Sequence, residues 1–205
     1  MYNTAISLSR GEDYCYFALK NPIANKSILF NNPCTLYFND PPTMTARLLD
    51  GKKVASDIKS DIARKVRIML DAGQPAPGLA VVLVGNDPAS QVYVNNKRKA
   101  CNEVGIISYS TDLPDNTSTE ALLSLINDLN NNDAIHGILV QLPLPSHIDS
   151  NKIIESIAPT KDVDGFHPFN LGHLAQRQPL LRPCTPYGII QLLAAYELNL
   201  SGKHV

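Results

Sequence analysis

Tryptophan is absent from this 205-residue chain, and aromatics make up only 6% of it. Its four cysteines, Cys15, Cys34, Cys101 and Cys184, are scattered, with no CxxC pair and no His-rich spacing beside them. That excludes a zinc module and a disulfide framework, and it points to a reducing, cytoplasmic compartment. Charge of either sign is not in excess. Eighteen Lys and Arg stand against nineteen Asp and Glu, a formal net charge of -1. No basic surplus is available to neutralise phosphates, so neither nucleic acid nor a membrane surface is an expected partner. No stretch reaches the ~18 apolar residues that would span a bilayer. No GxGxxG-like element occurs, so the turn that seats a dinucleotide pyrophosphate is missing from these residues.

What is present is an ordinary globular composition, 44% hydrophobic and 18% charged, in a chain long enough to bury a sizeable core. Residues 1–43 stand apart: they are rich in Asn, Tyr and Phe and lack sustained periodicity. Met1–Arg10 has neither the basic start nor the apolar core of a signal peptide, and Glu12 and Asp13 argue against a transit peptide. Asn39-Asp40-Pro41-Pro42-Thr43 reads as a turn-rich boundary. Residues 1–43 are therefore expected to be a disordered or spurious leader, with Met44 the natural start.

From Met44 the pattern becomes regular. Val54, Ile58, Ile62 and Val66 recur every four residues and predict an amphipathic helix over about 51–72. Leu79–Val84 is short, β-branched and uncharged, which predicts a strand buried on both faces. Asp87 as N-cap, Pro88 at the first helical position and Gly105 as the stop predict a helix over 88–104. A second strand is expected at Ile106–Thr111. A capping box at Thr117-Ser118-Thr119-Glu120 opens a helix with Leu122, Leu125, Ile126 and Leu129 on one face. A third strand is expected over His136–Gln141 and a short helix over Asp149–Ile157. An irregular stretch, 158–184, follows. The last helix is expected at about 186–198, with Ile189, Ile190, Leu193 and Ala194 apolar. This alternation predicts an α/β fold: a three-layer arrangement, a parallel sheet flanked by helices on both sides.

In such sheets ligands bind past the carboxyl ends of the strands. Helical spacing puts Ser90, Tyr93 and Lys97 on one stripe just past the first strand. An exposed helix with a Tyr leaning on a Lys stem would show the same spacing. The loop Gln141-Leu142-Pro143-Leu144-Pro145-Ser146 follows the third strand, and its two prolines stiffen it around Gln141. Lys161-Asp162-Val163-Asp164-Gly165-Phe166-His167-Pro168 holds two carboxylates two residues apart. Too few other acids lie near for a hard cation, and Asp and Gly also make turns, so no metal is expected there. His167, beside a proline, reads as structural.

Four segments together resemble one family. They are Val84–Ala100, with Tyr93 and Lys97 inside it, then Gly137–Pro145, then Lys161–Gly172, then Pro183-Cys184-Thr185-Pro186-x-Gly188. In this order they resemble the bifunctional methylenetetrahydrofolate dehydrogenase/methenyltetrahydrofolate cyclohydrolases, over about residues 44–205. The resemblance implies a tetrahydrofolate substrate, NADP as cofactor, two activities in one-carbon metabolism that serve purine, methionine and histidine biosynthesis, and a homodimer at full length. It implies that Lys97 is the essential lysine of the cyclohydrolase step, with Tyr93 its partner and Gln141 the group that positions it. Asp164 would hold the pterin ring, and Ser90 with Val140, Gln141 and Leu142 would line the folate site. A lysine can move protons at neutral pH only where burial or a neighbouring cation lowers its pKa.

In that family, the segment Ser201–Val205 leads into the NADP domain. The expected organisation is therefore a folate-binding catalytic domain over 44–200, with 201–205 the start of a dinucleotide-binding domain absent here and no cofactor-binding residue in this chain. Two other readings stay open: a catalytically inactive folate-binding or oligomerising fragment, and a generic flavodoxin-like binding domain.

Overall fold

The computed structural model describes residues 48–204 in full and, before them, only the backbone of residues 10–11, 14–15, 20–21, 26–27, 35–38 and 47. Met44 and most of the expected leader lie outside the described residues. The chain divides into two compact units, one of residues 1–58 with 188–205 and the other of residues 59–187.

In the first unit, β1 (Arg10–Gly11) pairs with β2 (Tyr14–Cys15), and β3 (Lys20–Asn21) with β4 (Lys26–Ser27), each antiparallel. β5 (Thr35–Phe38) pairs antiparallel with β6 (Arg47–Asp50). Leu49 on β6 is fully buried against Leu192 and Leu193, with Val54, Tyr196, Leu198 and Leu200 around them. The Asp50 carboxylate accepts the N–H groups of Lys52 and Lys53 at 2.9 and 3.0 Å, so it caps the helix α1 (Gly51–Asp71) that begins there. The Asp50 N–H donates to the Tyr196 hydroxyl at 2.8 Å.

The second unit is built on a parallel sheet. β7 (Gly78–Val84) lies between β8 (Ile107–Leu113) and β9 (Gly137–Val140), both parallel to it. One sheet face, Ala80, Val82, Val84, Ile138 and Val140, is covered by Leu122 and Ile126 of α3 (Thr119–Asn130) and by Ile153 of α4 (Ser150–Ser156). The other face, Val81, Leu83 and Leu139, packs on Val94 of α2 (Pro88–Val104) and on Val163. The expected three layers are present. β7 and β9 are buried on both faces, as uncharged central strands must be. β8 mixes exposed and half-buried positions and buries none fully, as a sheet edge does.

Local rules account for the elements. Asp87 caps α2 by accepting the Ser90 N–H at 2.7 Å, and Gly105 ends it at φ 82°, a left-handed conformation that suits glycine. The capping box expected at Thr117 does not form. Ser118 is the N-cap, accepting from the Ala121 N–H at 3.1 Å. Thr117 is buried instead, its hydroxyl donating to the Pro114 carbonyl at 2.6 Å.

Two expectations for the C-terminal third are corrected. Residues 158–184 are not wholly irregular, because α5 (Pro168–Ala175) lies within them. Its N-cap is His167, whose Nδ1 accepts the Phe169 N–H at 3.0 Å, with Pro168 at the first turn. Phe169, Leu171 and Leu174 are all exposed, so no apolar stripe marked this helix. α6 runs over Cys184–Ala195 rather than 186–198, and its buried pair is Leu192 with Leu193. Ile189 and Ile190 are exposed, as is Ala194. Among the described residues, no helix is long and apolar enough to cross a membrane.

Candidate active site

α2 starts just beyond the end of β7, and its capped first turn fixes where its stripe points. Ser90 sits inside that turn, 2% exposed, with its N–H and its hydroxyl bonded to Asp87. These bonds hold the Asp87 carboxyl below the usual carboxylate range. Tyr93 lies farther along, 60% exposed. Lys97, one turn on, is half-buried.

Gln141 comes from the first residue past β9. Its backbone N–H donates to the Val82 carbonyl at 2.9 Å, so the sheet places it. Its side-chain Nε2 donates to the Leu142 carbonyl at 2.6 Å. That orients the amide so that Oε1 faces the other way and accepts from Lys97 Nζ at 3.1 Å. Two residues 44 apart in sequence are thus joined at the sheet's carboxyl edge. Val140, the last residue of β9, is 6% exposed, Leu142 is half-buried, and the Leu142–Pro143 peptide is cis.

Asp164 is carried by a loop fixed along its whole length. The Lys161 ammonium donates to the carbonyls of Leu129, Asn130 and Asn132 at 3.2, 2.7 and 2.9 Å, closing the C-terminal end of α3. The Ile138 N–H donates to the Lys161 carbonyl at 2.7 Å, and Asp162 bridges to Ile138 in parallel. Asp162 is 2% exposed, and its Oδ2 accepts the His167 N–H at 2.8 Å and the Asn170 amide at 2.9 Å. Asp164 follows, half-buried. Burial pushes its carboxyl above the usual range. The Lys97 charge pulls it back down, and Asp162 pushes it up again.

The structure therefore brings Lys97, Gln141 and Asp164 together. Ser90, Tyr93 and Lys97 share one helix, with Ser90 enclosed in the helix's first turn and Tyr93 open to solvent. Cys184 is an unforeseen neighbour. Its thiol donates to the Val163 carbonyl at 3.2 Å, and burial raises its pKa, with Asp164 adding to the rise and Lys97 opposing it. Lys161, Asp162 and Asn170 were also missed as the frame of Asp164. Only the Lys-Asp-x-Asp-Gly spacing pointed to that loop, and it does not distinguish which acid is turned inward.

The helices that follow the three parallel strands have their first N–H groups taken by Asp87, Ser118 and Asp149 of the chain itself.

Known proteins resemble this chain in sequence and fold. The chain is 60% identical over 161 residues to the bifunctional protein FolD of Legionella pneumophila strain Corby, covering 78% of this chain and 57% of that protein. The crystal structure of the bifunctional FolD methylenetetrahydrofolate dehydrogenase/cyclohydrolase from Campylobacter jejuni matches with a TM-score of 0.72 at 50% identity, over 74% of this chain and 54% of that one. The Trypanosoma brucei methylenetetrahydrofolate dehydrogenase-cyclohydrolase, solved with NADP cofactor and an inhibitor, matches with a TM-score of 0.69 at 37% identity, over 72% and 51%. The chain thus spans about half the length of the relatives it matches. Residues 49–164, more than half of the chain, match the tetrahydrofolate dehydrogenase/cyclohydrolase catalytic-domain model, and the chain belongs to that family.

Proposed function

We propose that the site around Lys97, Gln141 and Asp164 binds a tetrahydrofolate derivative. The activity it serves is oxidation of 5,10-methylenetetrahydrofolate to 5,10-methenyltetrahydrofolate and hydrolysis of the product to 10-formyltetrahydrofolate. The observation that carries this reading is the bond from Lys97 Nζ to Gln141 Oε1 at 3.1 Å, with the Asp164 carboxylate in electrostatic reach of the same ammonium.

The residue types suit the hydrolytic half. Water attacks the methenyl carbon, and Lys97 relays the proton leaving the water oxygen. The bond from that carbon to N5 then breaks as N5 receives a proton. The carbon remains on N10 as a formyl group, and one proton is released overall. Gln141 holds the amine at the reacting carbon without adding charge. Asp164 accepts hydrogen bonds from the pterin amino and ring N–H groups, and its partial burial makes those bonds selective. The exposed Tyr93 ring offers an apolar face and a hydroxyl that ligand would cover.

For the oxidation, NADP is the hydride acceptor this reading assigns, as in the Trypanosoma brucei relative, and the described residues are given no part in holding it. A homodimer in the cytoplasm belongs to the same proposal, and light scattering of the purified chain tests the dimer. Calorimetric titration with 5,10-methenyltetrahydrofolate tests the site itself. Replacing Asp164 with Ala is expected to weaken binding about 10-fold or more, the loss of charged hydrogen bonds. Unchanged affinity would remove Asp164 from the site.

A further inference from the structure

The loop that carries Asp164 is gripped on both sides of that residue by one distant segment. On its C-terminal side, Gly165 adopts φ +69°, and a Cβ there would lie 2.5 Å from the Arg182 carbonyl carbon and 2.7 Å from the Pro183 nitrogen. The two backbones therefore touch, and only glycine permits it. On its N-terminal side, the Cys184 thiol donates to the Val163 carbonyl at 3.2 Å. Val163 in turn packs its side chain on Gly137 of β9, where a Cβ would collide with it.

We propose that residues 182–184 form a clamp that positions Asp164, with the Gly165–Arg182 backbone contact and the Cys184–Val163 hydrogen bond as its two jaws. Cys184 is then a positioning residue, acting through the Val163 carbonyl and not on substrate. The clamp adds to the hold that β9 and α2 already have on the loop through the Ile138–Lys161 hydrogen bond and the packing of Val163 with Val94, and so helps set the distance between the Asp164 carboxylate and the Lys97 ammonium. Its value for ligand recognition rests on the folate-binding reading of Asp164, but its geometry does not.

The experiment follows the Asp164 carboxyl by carbon-13 NMR titration in the full chain. Lys97→Gln removes the nearby cation, and the Asp164 midpoint is expected to rise. In a Cys184→Ala background, the same Lys97→Gln change should move the midpoint by about half as much or less, because one jaw of the clamp no longer holds Asp164 in place. Cys184→Ser keeps a hydroxyl donor and should restore most of the coupling. A merely structural cysteine would not show that rescue. An undiminished Lys97→Gln shift in Cys184→Ala overturns the clamp. If Cys184→Ala unfolds, Cys184→Ser is compared with Gly165→Ala, where the added Cβ should abolish the coupling and the serine retain it. Equal coupling in those two overturns the clamp as well. Titration with 5,10-methenyltetrahydrofolate separates the two readings. Coupling that depends on Cys184 in a chain that binds no folate overturns the function and leaves the clamp. Folate binding that needs Asp164, with coupling indifferent to Cys184, does the reverse.

Discussion

Asp162 and Asp164 stand two residues apart on one loop and face different partners. Asp162 is 2% exposed and accepts from the His167 N–H and the Asn170 amide. Asp164 is half-buried within electrostatic reach of Lys97. A buried carboxylate with two donors holds a loop, whereas a buried carboxylate short of donors is free to take a ligand's.

That contrast has a stability consequence at Asp164. Its folded-state pKa is raised, chiefly by burial. A raised carboxyl opposes folding once it must ionise, so the penalty is absent below the ordinary Asp value and grows as pH rises through the window up to the raised value. Asp164→Asn should therefore unfold at equal or higher urea than the parent at pH 7, with the advantage gone near pH 3. An Asn variant less stable at pH 7 would contradict the burial penalty.

Asp87 behaves in the opposite sense. Its carboxyl is held low by the Ser90 N–H and hydroxyl. A lowered carboxyl contributes stability above its unfolded pKa and loses it as pH falls through the folded value. Asp87→Ala should melt below the parent at pH 7 and converge with it in acid. A gap that persists unchanged well below the usual carboxylate range would mean the cap is not electrostatic.

The Lys161 ammonium satisfies three carbonyls at the end of α3. Lys161→Met keeps much of the stem and removes the donors, and it should cost about 1–2 kcal/mol in urea unfolding. A loss under ~0.5 kcal/mol would assign the lysine to the ordinary surface.

Much of this was readable in advance, for identifiable reasons. The strand at Gly78–Val84, the helix Pro88–Val104 with both caps, and the pairing of Ser90, Tyr93 and Lys97 on one stripe follow from local chemistry: β-branching, Asp-Pro at one end and Gly105 at the other. α5 escaped because its apolar residues point outward and only His167-Pro168 announces it. The last helix was placed late because Thr185-Pro186 resembles a start, yet the helix begins at Cys184. Leu193 is inward as expected, but Leu192 was missed and Ile189 and Ile190 are exposed, because Ile189, Ile190, Leu192 and Leu193 leave helical periodicity no single face to choose. At the site, the Lys97–Gln141 contact was expected from resemblance alone. Neither spacing nor composition relates two residues 44 apart. The division of labour between Asp162 and Asp164 needed the tertiary structure, since the motif presents both acids alike.

The central claim is that the Lys97 amine moves the protons of hydrolysis while other groups bind the folate. The most direct measurement is the decay of 5,10-methenyltetrahydrofolate absorbance with the parent chain and with Lys97→Ala, alongside titration of the same ligand into each. The parent is expected to accelerate decay over buffer, Lys97→Ala to lose at least ~100-fold of that acceleration, and its affinity to stay within about threefold. Normal hydrolysis by Lys97→Ala, or no acceleration by the parent, would contradict the claim.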